Sequence, residues 1–297
     1  MSVSPIHILR QGEVIAAILR AVAPRLGPPA PVPQTPSPER NATVAPRNPS
    51  HVRDFIVAMG GDPAAYRGHL PPMMFPQWGM PLMAEIVGGL PYNALKVVNL
   101  GCRIEQKAAL PEGEPLLLQA RLDSLDVNER RVVVEQRITT GTMSAPEALI
   151  AHVQAFVPRG DKSRAPKGRK RPKEQPTIPP HARAVDDWHI AARAGLEFTI
   201  LTGDLNPIHL FAPWARMMGF KRAIYQGFAS AARAFETLAR VLGEGDPARI
   251  ASFQARFTKP LLMPNDVRVF VDAAGGVFVG HTPGGPAYMV GGFALAE

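Results

Sequence analysis

The sequence predicts an α+β protein built from two similar domains, each with one helix followed by four antiparallel strands. Its 46% apolar and 20% charged residues are typical of a globular chain and exclude global disorder and a polytopic membrane protein. Prolines cluster in two stretches that separate two segments of domain size. Those two segments share one sequence pattern, which predicts an internal duplication.

The proline-rich stretches set the predicted domain boundaries. We expect an N-terminal amphipathic helix and connector over residues 1–50, a first domain over 51–158, a basic linker over 159–181 and a second domain over 182–297. Charges interrupt the N-terminal helix, so we expect no transmembrane segment. The helix should pack on its own protein, and contact with a membrane surface is the alternative.

The duplication is visible at a fixed offset. In both domains an arginine followed by an apolar residue precedes a proline by eight positions, at Arg103 and, 153 residues later, at Arg256. The same offset carries a predicted helix at 76–89 onto residues 229–242, where a second helix is predicted at 228–242. The second helix has one apolar stripe, with Glu236 off it. The predicted strands are 95–106, 116–125, 131–139, 148–157, 250–258, 267–272, 277–281 and 288–295.

One motif of the second domain carries the chemistry, and it reads Thr202-Gly203-Asp204, then Asn206-Pro207, then His209. Adding water to a carbon–carbon double bond requires one group that deprotonates water and one that protonates carbon. Asp204 and His209 can supply both. Pro207 disfavours a regular helix, so we expect a structured loop to present both side chains. The alternative is a loop held by Asp204 and Asn206 in an Asx-turn, with His209 only packed.

This motif resembles the hydratase signature of MaoC-like dehydratases and (R)-specific enoyl-CoA hydratases, whose domains have the hot-dog fold. The resemblance is close in the second domain and one of architecture in the first, as in double hot-dog members. It implies two fused hot-dog domains, each a central helix wrapped by an antiparallel sheet. It also implies a hydro-lyase that hydrates trans-2-enoyl thioesters or dehydrates (R)-3-hydroxyacyl thioesters, carried by CoA or acyl carrier protein, without metal or other cofactor.

Three further positions complete the expected site. Asn206 offers an amide that could orient a catalytic group or the substrate. Gly227 directly precedes the apolar stripe, so its N–H is a free helix N-terminal donor suited to a thioester oxyanion, unless the glycine serves only helix entry. In the family this glycine usually follows histidine, whereas here it follows Gln226. His51 lies 153 residues before Asp204, so we expect the first domain to lack catalysis and to widen the acyl groove.

The net charge of +8 is local, because residues 159–174 carry eight Lys or Arg against two acidic residues. This run is either a solvated linker or an attraction site for an acidic carrier protein, CoA or RNA. It contains no aromatic residue, so nucleic-acid binding by stacking is not expected. The single cysteine, Cys102, excludes an internal disulfide and fits a reducing cytoplasm.

Two other functions stay open. A hot-dog thioesterase would need a carboxylate on the central helix, where Glu236 is the only candidate. A catalytically silent or RNA-binding protein would use the basic run, although an intact Asp204 and His209 argue against silence. A homodimer also remains open, as do acyl-chain length and the physiological direction of the reaction.

Overall fold

The computed structural model describes residues 3–23, 31–159 and 175–296, so most of the predicted basic linker lies outside the described residues. The helices are α1 (Gly12–Val22), α2 (Pro49–Ala58), α3 (Phe75–Gly89), α4 (Ala194–Thr202), α5 (Ala212–Met217) and α6 (Gly227–Val241). The strands are β1 (Arg40–Val44), β2 (Val98–Gln106), β3 (Leu116–Val127), β4 (Arg131–Gly141), β5 (Leu149–Pro158), β6 (Arg183–Ile190), β7 (Ile250–Phe257), β8 (Asn265–Val271), β9 (Gly276–Gly280) and β10 (Ala287–Leu295).

All ten strands form one antiparallel sheet in the order β1-β3-β4-β5-β2-β7-β10-β9-β8-β6. Each half of this sheet repeats the same order, because β1, β3, β4, β5 and β2 correspond to β6, β8, β9, β10 and β7. The halves join where β2 pairs with β7, with Ile104 opposite Phe253. The predicted fold class is confirmed: a duplicated α+β unit with one long helix against each half of the sheet.

The core is continuous across the two halves. Phe75 at the start of α3 packs edge-on against Phe228 at the start of α6, with ring centroids 5.7 Å apart. Phe235, one of the buried stripe residues of α6, packs in the same way on Phe253 of β7 at 5.9 Å. The N-terminal ends of the two long helices therefore meet at the centre of the molecule, which fixes α6 relative to the first half.

The predicted helices and strands agree with the observed ones within about three residues, but two strands were not predicted. β1 lies inside the stretch that the sequence marks as a connector, and β6 directly follows the second proline-rich stretch. They form the two outer edges of the sheet. Each half therefore has five strands instead of four. The cause is that both strands are mostly exposed or half-buried and rich in polar residues, which weakens the alternating pattern used to predict strands.

The N-terminal segment packs on the protein itself. Helix α1 lies against α3, with Val14 and Ala17 buried. A 3₁₀ helix at Pro5–Gln11 precedes it, and the buried Gln11 amide donates to the Leu201 carbonyl at 3.2 Å, near the end of α4. Within the described residues, no helix is long and apolar enough to cross a membrane.

Candidate active site

Local turn chemistry builds the loop that follows α4. The helix ends at Gly203, whose φ of 79° is left-handed and whose N–H bonds the Thr199 carbonyl at 2.8 Å. Asn206 then caps a short 3₁₀ helix, accepting a hydrogen bond from the N–H two residues further on at 3.3 Å. Pro207 occupies the first position of that 3₁₀ helix, and His209 occupies its last. The motif therefore specifies its own backbone.

This loop brings Asp204 and His209 together. The distance from His209 Nε2 to Asp204 Oδ2 is 3.8 Å, and the two side chains are 11% and 26% exposed. A separation of 3.8 Å is longer than a direct hydrogen bond. One small polar molecule could therefore contact both atoms at once.

The main chain selects the form of the His209 ring. Its Nδ1 lies 2.8 Å from the carbonyl oxygen of Ile224. Because a carbonyl oxygen only accepts, Nδ1 must carry the hydrogen and donate it. In the neutral ring the lone pair is then on Nε2, the atom that faces Asp204. His209 is thus presented as a base toward the carboxylate side of the loop.

Asp204 uses its other polar atoms to hold the loop. Its Oδ1 accepts from the N–H of Asn206 at 3.3 Å, and its carbonyl accepts from the Thr199 hydroxyl at 2.6 Å. The Asx-turn, weighed above as an alternative to chemistry, is present. It engages Oδ1 and leaves Oδ2 toward His209, so the two interpretations are compatible. Asn206 is exposed and its side-chain oxygen serves the cap, so its role toward substrate remains a prediction.

Gly227 begins α6, and its N–H has no hydrogen-bond acceptor among the residues that the structure describes. Packing excludes a side chain here, because a Cβ would lie 2.5 Å from the ring of Phe257. The free N–H stands at the positive end of a 15-residue helix. Gly227 lies three residues after Ile224, whose carbonyl anchors His209, so the candidate oxyanion donor and the candidate base are tied to one short segment.

Two side-chain contacts of the site were not predicted from the sequence, which marks Gln226 only as a departure from the histidine usual in the family and does not single out Thr199. Gln226 is 1% exposed, and its Nε2 donates to the Gly195 carbonyl at 3.0 Å and to the Thr199 hydroxyl oxygen at 3.2 Å. Thr199 is also buried, and it lies within α4, the element that precedes the motif. Neither contact has a sequence signal, because both depend on how α6 docks on α4.

The fixed offset placed the first-half counterpart of the candidate loop at 203–209 wrongly. Helix α2 corresponds to α4, and after it Gly60 has the same left-handed φ as Gly203. Asp62 then caps a 3₁₀ helix that starts with Pro63, as Asn206 does before Pro207. The residue that follows the glycine is Gly61, where the second half has Asp204. The first half thus has no carboxylate at that position.

A residue of the second half fills this first-half position. A Cβ on Gly61 would lie 2.2 Å from the Oε2 atom of Glu236 on α6, and the hydroxyl of Tyr66 donates to Oε1 of the same carboxyl group at 2.5 Å. Glu236 is 3% exposed, although it lies off the apolar stripe. Burial raises its pKa to about 7, and the Tyr66 hydrogen bond lowers it in part.

His51, which the offset placed opposite Asp204, lies in α2 and has a packing role. It is buried, its Nε2 donates to the Leu201 carbonyl at 2.7 Å, and burial lowers its pKa to about 4. Within the described part of the chain, no group of three or more His, Cys, Asp or Glu side chains is placed to hold a metal ion.

Comparison with known proteins agrees with this architecture. Residues 174–280 match the family model described as a MaoC like domain. This match covers most of the second half of the chain, and the chain as a whole shares the double hot-dog fold of a solved structure described below.

Three relatives illustrate the similarity. The chain is 24% identical over 283 residues to 3-hydroxyacyl-thioester dehydratase X of Mycobacterium tuberculosis, covering 93% of this chain and 92% of that protein. A crystal structure of a MaoC-like dehydratase from Phytophthora capsici has a TM-score of 0.68 at 20% identity, covering 88% of this chain and 95% of that one. A conserved hypothetical protein of M. tuberculosis with a double hot-dog fold has a TM-score of 0.55 at 13% identity, covering 91% and 99%.

Proposed function

We propose that this protein is a hydro-lyase that interconverts trans-2-enoyl thioesters and (R)-3-hydroxyacyl thioesters. The observation that carries the proposal is the pairing of Asp204 Oδ2 with His209 Nε2 at 3.8 Å, with the ring held by the Ile224 carbonyl. The relatives support it, since their names include a 3-hydroxyacyl-thioester dehydratase and, in Dictyostelium discoideum, a probable enoyl-CoA hydratase. The substrate stereochemistry follows from the family resemblance.

The geometry suits addition of a single water molecule. A water that donates one hydrogen to Nε2 of His209 and the other to Oδ2 of Asp204 keeps an oxygen lone pair free to attack the β-carbon. As the new carbon–oxygen bond forms, one of the two groups takes the water proton, and the pair returns a proton to the α-carbon. The thioester oxygen gains negative charge between these events, and the Gly227 N–H is the donor proposed to stabilise it.

The simplest test follows crotonyl-CoA with the purified protein. Hydration removes the enoyl absorbance without releasing a free thiol, whereas a thioesterase releases the thiol and leaves the double bond in place. We expect the first outcome. The thioesterase alternative has little support, because the carboxyl group of Glu236 is buried and bonded to Tyr66. Thiol release with the enoyl group preserved would contradict the proposed function.

The surface that follows the catalytic loop favours a carrier-bound substrate. Phe211, Trp214, Met217 and Met218 are 60%, 45%, 67% and 55% exposed. The exposed cations Arg216, Lys221 and Arg222 lie among them, and no acidic residue occurs from position 205 to position 235. An apolar surface with positive charge complements an acidic protein. We therefore propose that an acidic acyl carrier protein delivers the thioester at this surface.

Neutralising the adjacent cations Lys221 and Arg222 tests the carrier. The double variant Lys221→Gln/Arg222→Gln should raise KM for a carrier-bound enoyl substrate by about tenfold and flatten its salt dependence, with kcat little changed. KM for the CoA substrate should change much less. The matched control is Arg130→Gln/Arg131→Gln, which removes an exposed adjacent pair at the turn between β3 and β4. An equal rise in KM for both substrates would assign the cations to the phosphates of CoA instead.

A further inference from the structure

The buried amide of Gln226 is linked to both loop residues of the candidate site through its hydrogen bonds to Gly195 and Thr199. It sits at the N-cap of α6, next to Gly227, and its side chain reaches across to α4. We propose that Gln226 is a positioning residue that holds Asp204, His209 and the N-terminus of α6 in one arrangement. This proposal rests on the hydratase function proposed above.

The link to Asp204 runs through Thr199. The Gln226 Nε2 donates to the Thr199 Oγ1 at 3.2 Å, and the Thr199 hydroxyl donates in turn to the Asp204 carbonyl at 2.6 Å. The direction of this chain is fixed by chemistry, because the Asp204 carbonyl only accepts and Thr199 has one hydroxyl hydrogen. Thr199 must therefore accept from Gln226. The backbone of Asp204 is thus tied to the start of α6 through two side chains.

The link to His209 runs through Gly195. The second Gln226 hydrogen goes to the Gly195 carbonyl at 3.0 Å. Gly195 packs directly on the backbone of His209, since a Cβ on Gly195 would lie 2.4 Å from the His209 carbonyl oxygen. A shift of the Gln226 side chain would therefore move α4 relative to both Asp204 and His209.

The amide orientation is determined, and it leaves one atom without a partner. Oε1 facing Gly195 would oppose two acceptors, so Nε2 must occupy that side. Oε1 is then buried with no hydrogen-bond partner among the residues that the structure describes. A buried amide oxygen without a hydrogen-bond partner destabilises the folded state. An apolar side chain at this position would leave no buried oxygen unpaired. What the amide adds is its two donated hydrogen bonds, to Gly195 and Thr199.

Such a residue should affect the rate more than the binding of substrate. Gln226 contacts none of the proposed reacting atoms, but a displacement of about 1 Å in a catalytic group can lower the rate by about a hundredfold. Gln226 is buried and lies outside the surface proposed above for the carrier protein, so the loss should be in kcat. A residue that only stabilised the fold would instead lower the melting temperature and leave kcat of the folded fraction unchanged.

The test uses the full chain and four variants. Gln226→Met keeps the size and removes both hydrogen bonds; Thr199→Val removes the relay, and Thr199→Ser preserves the hydroxyl. We expect the first two to lower kcat for crotonyl-CoA by about tenfold to a hundredfold with KM within about twofold, and Thr199→Ser to be near wild type. Because Gln226 and Thr199 belong to one series of hydrogen bonds, the kcat of the Gln226→Met/Thr199→Val double variant should be little lower than that of the more impaired single variant.

Gln136→Met is the matched control, because Gln136 is a buried amide with an unpaired Oε1 on β4 of the first half. It should leave kcat unchanged. Hydrogen exchange supplies a readout that does not depend on activity: the backbone amides of residues 203–206, 208 and 209 should exchange faster in Gln226→Met but not in Gln136→Met. Wild-type kcat and exchange in Gln226→Met, or additive losses in the double variant, would overturn the positioning role. An inactive wild-type protein with the expected exchange pattern would instead refute the proposed function.

Discussion

Asp204→Asn and His209→Ala should each lower the turnover of enoyl-thioester hydration by about a hundredfold or more. Asp204→Asn keeps the side-chain oxygen that accepts from the Asn206 N–H, so it removes the basicity and charge of the carboxylate while preserving the turn. His209→Ala also removes the bond to the Ile224 carbonyl. His209→Asn is therefore the companion variant, because its amide can still donate near the Nδ1 position.

The duplication supplies the control for this experiment. Asp62 is the first-half counterpart of Asn206 and caps its own 3₁₀ helix through Oδ1. Asp62→Asn removes a carboxylate from the equivalent loop and keeps a good capping residue, so its activity should equal that of the wild type. His281→Ala removes an exposed histidine far along the chain and should also be neutral. A folded Asp204→Asn protein with near wild-type turnover would refute the assignment of the site.

Local chemistry explains why a structured loop at 203–209 was predictable. A left-handed glycine, an Asx-turn and a proline at the start of a 3₁₀ helix each act over two or three residues. The order of Gly203, Asn206 and Pro207 therefore favours the observed backbone through contacts within the loop itself. The long helices were predictable for a similar reason, since the apolar stripe of α6 repeats at helical spacing over four turns.

The rest of the site depends on docking between elements that are distant in sequence. Gln226 and Thr199 meet only because α6 packs on α4, and no pattern along either helix indicates the contact. The first-half counterpart of the loop was misplaced because the 153-residue offset of the long helices does not apply to it. Gly61, which lies at the Asp204 position, precedes Asp204 by 143 residues. The burial of Glu236 was missed because a stripe calculated for a single helix does not include the surface that the other half covers.

The buried carboxyl group of Glu236 should make the stability of the protein depend on pH in a way that one substitution removes. Its pKa is raised to about 7 by burial, from an ordinary value of 4.5. Below about pH 4.5 this carboxyl group is protonated in both the folded and the unfolded state, and the free energy of unfolding is at its highest. As the pH rises from there to about 7, the unfolded chain releases the proton first, so stability is lost. Above about pH 7 the loss is complete.

The free energy of unfolding of Glu236→Gln minus that of the wild type should therefore be larger at pH 8 than at pH 4.5. A shift of about 2.5 pKa units corresponds to about 3 kcal/mol of unfolding free energy. The glutamine still accepts from the Tyr66 hydroxyl and does not ionise. Urea unfolding of both proteins at pH 4.5, 6 and 8 measures the effect, and the difference between them removes the contribution of all other titrating groups.

Tyr66→Phe provides the opposite change. The hydrogen bond from Tyr66 lowers the pKa of Glu236, so its loss should raise that pKa further and extend the decline in stability to higher pH. In the Tyr66→Phe/Glu236→Gln double variant this added decline should vanish, because no ionisable group remains at the contact. Parallel pH profiles for wild type and Glu236→Gln would show that the carboxylate is solvated or paired. In that case Glu236 would not be desolvated at the first-half position beside Gly61, where the structure buries it.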